Sequence, residues 1–113
     1  MNKTFKTLAE PNRFQIVELL RNGPLSVGEV ADRIGLRQPQ TSKHLRALMD
    51  AGLVEVDPIA NRRIYKLRLE PFQELDIWLE SYRHIWKERL DSLDDYLQDL
   101  QRKDNHHHDE DKE

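Results

Sequence analysis

The chain has 113 residues, of which 37% are hydrophobic and 35% charged, with no cysteine and a formal net charge of −3. That length holds one domain with a modest core, and the missing cysteines exclude a disulfide framework, a thiolate metal site and a cysteine nucleophile. No apolar run approaches the roughly 20 residues of a membrane span, and the N-terminal MNKTFKTLAE lacks a signal-peptide apolar region, so no membrane partner and a cytoplasmic location are expected.

In chain order, a short first helix is expected over Lys3 to Ala9, with Phe5 and Leu8 one turn apart. Glu10-Pro11 breaks it. A second helix follows from Asn12 to Arg21 and carries Phe14, Ile16, Val17, Leu19 and Leu20. Asn22-Gly23-Pro24 stops it.

Ser26 to Val54 is the most informative stretch. Ser26 as N-cap with Glu29 three residues on is a capping box. Val27, Val30, Ala31 and Ile34 then repeat at helical spacing, and Gly35 supplies the positive φ that closes the helix. Leu36 fills the turn. The next helix has Pro39 in its first turn, where a missing N–H costs nothing. Thr41, Leu45 and Leu48 fall on one face; Gln38, Gln40, Ser42, Lys43 and Arg46 lie on or beside the other. This is the layout of a helix-turn-helix whose second helix is the recognition helix.

Gly52 ends that helix near Met49-Asp50-Ala51. Leu53 to Asp57 and Arg63 to Leu69 read as two strands, with Tyr65, Leu67 and Leu69 inward and Lys66 and Arg68 outward. Pro58 to Arg62 makes the turn, with Asn61 the expected left-handed residue. A basic hairpin directly after a recognition helix is a wing.

One long helix is expected from Pro71 to about Arg102. Its apolar stripe runs Phe72, Leu75, Leu79, Tyr82, Trp86, Leu90, Leu93, Leu97 and Leu100, and the mean step is the coiled-coil period of about 3.5. Trp78, Ile77 and Ile85 widen that face. A helix of roughly 45 Å outruns what a small winged domain can cover, so a symmetric dimer seam is expected through Leu75, Trp78, Leu79, Tyr82, Ile85, Trp86, Leu90, Leu93 and Leu97, helped by Phe5 and Leu8. The division is thus 1–70 for the winged domain, 71–102 for the dimerisation helix and 103–113 for an acidic, His-containing tail without apolar residues, expected to be disordered. The fold class is mostly α, a winged helix-turn-helix with a two-stranded wing.

Charge follows this division. Residues 1–69 hold 12 Lys and Arg against 7 Asp and Glu, a balance of +5, and residues 70–113 hold 6 against 14, a balance of −8. The basic part coincides with the helix-turn-helix, as nucleic-acid binding requires.

The segments Leu8-Ala9-Glu10-Pro11-Asn12-Arg13, Ser26 to Ala31, Gln38 to Leu45 and Ala51-Gly52-Leu53-Val54, in that order and spacing, resemble the ArsR-type family of small bacterial and archaeal winged-helix repressors. The resemblance covers about Phe5 to Leu69 and extends to the long helix. It implies a homodimeric repressor of a palindromic operator in double-stranded DNA. Many members of that family also sense a metal or metalloid. One family site uses cysteines where this chain has Ser26 and Gly28. Another needs an Asp-x-His pair, and Asp76 has no His two residues on. No cofactor or metal is therefore expected, and the inducer cannot be read.

Gln38 and Gln40 suit bidentate contacts to adenine, while Ser42 and Thr41 can reach bases or phosphates. Lys43 and Arg46 suit phosphate or guanine. Arg37 stands where the family has a small hydroxyl residue; it weakens the N-cap but adds a cation. His44 lies between the two faces, with packing and phosphate contact equally open. Asn61, Arg62 and Arg63 at the wing tip suit phosphate or the minor groove. No acid falls between Arg33 and Met49, unlike an ordinary solvated helix face.

The remaining constellations are weaker. Asp76, Glu80, His84 and Glu88 share a helix face and could hold zinc, which keeps a metal-responsive repressor as an alternative, but such rows are commonly solvated. His106, His107 and His108 would bind metals weakly in any flexible peptide. Trp78, Tyr82 and Trp86 could line a small-molecule pocket, though aromatic residues at that spacing are more often packed. A protein-interaction module on the same scaffold is the alternative of another class. No enzyme motif is present: there is no phosphate-cradling glycine loop, and Asp94 and Asp95 point apart on a helix.

Overall fold

The buried hydrophobic core is drawn from residues between Ile16 and Tyr65. The computed structural model describes the backbone of residues 1–112 and the side chains of residues 1–104. Among these, α1 (Asn2–Leu8) and α2 (Pro11–Leu20) precede β1 (Leu25–Ser26), α3 (Val27–Ile34) and α4 (Gln38–Asp50). The hairpin β2 (Val54–Ile59) and β3 (Arg62–Leu67) follows, then α5 (Glu70–Lys112). Two compact units result, Met1–Leu75 and the chain from Asp76 onward.

In the first unit Ile16, Val17 and Leu20 of α2 meet Leu25, Val30, Leu45, Leu48, Leu53, Val54 and Tyr65. Fully burying aliphatic side chains of this size is worth about 1.5–3 kcal/mol each, so this cluster holds the two helices of the helix-turn-helix in place. The capping box forms as expected: Glu29 N–H donates to Ser26 Oγ, and Ser26 N–H donates to Glu29 Oε1, both at 3.2 Å. Gly35 closes α3 in the left-handed region at φ 73°.

Several expectations are corrected. The sheet has three strands in the order β1-β3-β2, because Leu25 and Ser26 pair with Tyr65 and Ile64. Two residues are too few to show an alternating pattern. The hairpin loop is only Ala60-Asn61, since Ile59 pairs with Arg62. Its positive φ, 54°, falls on Ala60 and not on Asn61. Pro58 lies within β2, which is an edge strand, where Pro is tolerated. Because β3 stops at Leu67, Leu69 is exposed rather than inward.

On α1 the buried residues are Thr4 and Thr7, and Phe5 is exposed. Thr7 is tolerated inside because its hydroxyl donates to the Lys3 carbonyl at 2.7 Å. Leu8 packs partly against the core. Phe14, placed with the apolar residues of α2, is also exposed.

In the second unit, α5 continues past Arg102 to Lys112. The side chains of the expected tail from Asn105 onward, His106–His108 included, lie outside the described residues. Along the helix Leu79, Tyr82, Ile85, Trp86, Leu90, Leu93, Leu97 and Leu100 are all exposed. Trp78 and Tyr82 meet edge-on with ring centroids 5.0 Å apart. No described helix is long and apolar enough to cross a membrane.

Candidate nucleic-acid interface

Helix α4 carries the site because its inner face is completely committed to the core. Thr41, Leu45 and Leu48 are fully buried, which forces Gln38, Gln40, Ser42, Lys43 and Arg46 outward, and all five are exposed. Thr41 does not belong with them. Its hydroxyl donates to the Arg37 carbonyl at 2.9 Å, so it is packed in the core and turned away from the exposed face. Arg37 occupies the N-cap position without a side-chain cap, leaving its guanidinium exposed.

A surface hollow joins α4 to the wing. Ser42, Arg46, Met49 and Asp50 line it from the helix, with Arg63 and Tyr65 from β3 and Val27 from α3. Three of the residues singled out in the sequence, Ser42, Arg46 and Arg63, therefore share one surface. The hollow's apolar lining, Val27, Met49 and Tyr65, carried no recognition signal in the sequence. Gln38 lies over the first turn of α3: a Cβ added at Gly28 would sit 3.3 Å from its Nε2.

Ion pairing separates the cations into two groups. Among the described residues, Arg21, Lys66, Arg68, Arg83 and Arg102 each face a carboxylate within 4 Å. Within the same set, Arg37, Lys43, Arg46 and Arg63 face none. Lys66 is tied to Asp57 at 2.9 Å and to Glu55 at 3.4 Å across the hairpin, and these hydrogen bonds raise its pKa. Cations without partners on α4 and the wing form a field that an external anion can answer.

Arg62 is intermediate. Its guanidinium lies 3.6 Å from Glu29, an exposed pair of small intrinsic strength. Glu29 is held below its ordinary pKa chiefly by the Ser26 backbone N–H, then by the Ser26 hydroxyl, with Arg62 and Arg33 contributing less. Asn61 is exposed at the wing tip.

His44 is turned toward α2. Arg13 Nε donates to His44 Nδ1 at 3.4 Å, and Glu10 Oε2 lies 3.6 Å from the same nitrogen. His44 Nδ1 thus stands between Arg13 Nε and Glu10 Oε2. Glu10 is also the N-cap of α2, accepting from Arg13 N–H at 2.9 Å. Sequence reasoning treated Glu10-Pro11 only as a break, although an acidic N-cap before Pro at N1 is a start signal.

The acidic row on α5 does not assemble a metal site among the described residues. Asp76 and Glu80 both turn to Arg83, and His84 stands 3.9 Å from Glu88.

A recognition helix with a sheet hairpin along one edge is the arrangement of a winged helix-turn-helix domain. The family model of bacterial regulatory proteins of the arsR family matches residues 10–56, and the chain belongs to that family. It is 41% identical over 66 residues to the HTH-type transcriptional regulator Rv2034 of Mycobacterium tuberculosis, covering 58% of this chain and 62% of that protein. The matched region thus spans less than two thirds of that relative's length. The transcriptional repressor SdpR of Bacillus subtilis is 27% identical over 82 residues, covering 73% of this chain and 91% of SdpR. Among solved structures, the homodimeric winged helix-turn-helix DNA-binding domain of Mb0332 from Mycobacterium bovis aligns with a TM-score of 0.61 and 29% identity, over 73% of this chain and 76% of that domain.

Proposed function

We propose that the chain is a sequence-specific DNA-binding transcriptional repressor that acts in the cytoplasm as a homodimer on a roughly palindromic operator. The observation that carries this reading is the coincidence on one surface of partnerless cations and hydrogen-bonding side chains. Lys43, Arg46 and Arg63 supply charge for phosphates, and Gln38, Gln40 and Ser42 supply donors and acceptors for base edges. Arg37, Asn61 and Arg62 extend the contact along the backbone.

Dimerisation is part of the function, because two recognition helices one duplex turn apart read the two half-sites. The stripe on α5, half-buried at Leu75 and Trp78 and exposed from Leu79 to Leu97, is the seam. Repression rather than activation has its counterpart in SdpR, and the homodimer in Mb0332.

A chemical footprint on the DNA upstream of the chain's own gene tests the reading. Protection of two symmetric half-sites about 10 bp apart is expected. Uniform, sequence-independent protection would contradict specific recognition.

A further inference from the structure

We infer that Arg13 is a phosphate-binding residue of the DNA interface, standing along the edge of the recognition helix opposite the wing. This rests on the reading of α4 as a recognition helix.

Successive residues turn by about 100° around a helix. With Thr41, Leu45 and Leu48 inward, Lys43 points out and Arg46 leans toward the wing, whose hollow it lines. Gln38 and Ser42 then fall on one flank, and Gln40 and His44 on the other. The structure shows what each flank meets. On the first, Ser42 shares a hollow with Arg63 and Tyr65 of the wing. On the second, His44 meets Arg13 at 3.4 Å.

A helix with its side chains is about 10–12 Å wide and fills a major groove of about 12 Å, so its two flanks face the two phosphate walls. The wing brings cations to one wall. Arg13 is the cation that the fold brings to the other.

Its guanidinium is held but not neutralised. Nε is engaged by a ring nitrogen, and among the described residues no carboxylate pairs with the guanidinium within 4 Å. The nearby Glu10 carboxylate is occupied otherwise, by the Arg13 backbone N–H at 2.9 Å and by Asn12 Nδ2 at 3.3 Å. A planar group fixed at Nε presents its terminal nitrogens in a set direction, which suits a phosphate. His44 and Glu10 are the positioning residues of this contact.

The test is an anisotropy titration of the full chain, across a salt series, on a labelled duplex from upstream of its own gene and on a scrambled duplex. Wild type, Arg13→Gln, Arg13→Lys and Arg46→Gln are compared, with a thermal melt of each. Arg13→Gln is expected to reduce the slope of log K against log salt by about 0.9 for each phosphate that Arg13 neutralises, and to weaken both duplexes by the same factor. Arg13→Lys, which keeps a charge at the site, is expected to retain most of the slope, and Arg13→Met, which removes the charge but keeps an unbranched side chain, replaces Arg13→Gln should that variant unfold. A wild-type slope in Arg13→Gln, with Arg46→Gln reduced, overturns the role of Arg13 and leaves the DNA reading standing. A slope reduced equally in Arg13→Lys also overturns it. Absence of wild-type binding to either duplex removes the DNA reading itself.

Discussion

The guanidinium of Arg62, at the tip of the wing, lies 3.6 Å from the carboxylate of Glu29, which closes the capping box of α3. One carboxylate thereby serves a helix start and the neighbouring hairpin. Since its pKa is lowered in the folded chain, foremost by the Ser26 backbone N–H, its contribution to stability is present above the ordinary value of 4.5. That contribution is lost as pH falls through the lowered folded value. Glu29→Gln is therefore expected to melt at a lower temperature than wild type near neutrality, with the gap closing in acid. Thermal melts over a pH series check this; a gap that widens in acid would contradict it.

Gly28 sits under Gln38, and a Cβ there would stand 3.3 Å from the Gln38 amide nitrogen. Alanine in place of a glycine in the first turn of a helix favours the helix by less than the about 1 kcal/mol of an interior position, while the flexible Gln38 side chain must move. Gly28→Ala is expected to melt at or above the wild-type temperature while losing preference for the operator over scrambled DNA. Unchanged preference would remove Gln38 from base readout.

Thr41 is fully buried, and its hydroxyl donates to the Arg37 carbonyl. Thr41→Val keeps the volume and removes that hydrogen bond, at a cost of about 1 kcal/mol. Urea unfolding is expected to show this loss, with the ratio of operator to scrambled affinity unchanged. A changed ratio would return Thr41 to the interface.

Leu93 is exposed in the middle of the α5 stripe, where a second copy of the helix is proposed to pack. Leu93→Glu places a charge in that seam, and light scattering is expected to report a monomer. Operator affinity should then fall by about two orders of magnitude, because a monomer engages only one of the two half-sites. A dimer that persists would place the seam elsewhere.

What was legible in the sequence was local. The capping box, the Gly35 turn and the inward stripe of α4 are set by residues within a few positions of one another, and all three stand as read. Where the reading failed, the deciding contact was distant or depended on register. β1 exists only because Leu25 and Ser26 pair with residues some forty positions on. The positive φ fell on Ala60 because the Ile59–Arg62 pair fixes a two-residue loop, whereas residue preference favoured Asn61. On α1 the spacing of Phe5 and Leu8 did not show that Thr4 and Thr7, polar but small, take the inner face. In the site, the exposed amides and cations of α4 were evident from helical spacing. The contact between Arg13 and His44 spans 31 residues, and no pattern along the chain marks it.

The most direct measurement is a titration of the purified chain against its own upstream promoter fragment and a scrambled control, at low and moderate salt. Binding that prefers the promoter and weakens steeply with salt is the expected result. Equal affinity for both fragments would contradict specific recognition of that promoter, and no binding to either would contradict the assignment of α4 and the wing as a DNA-binding surface.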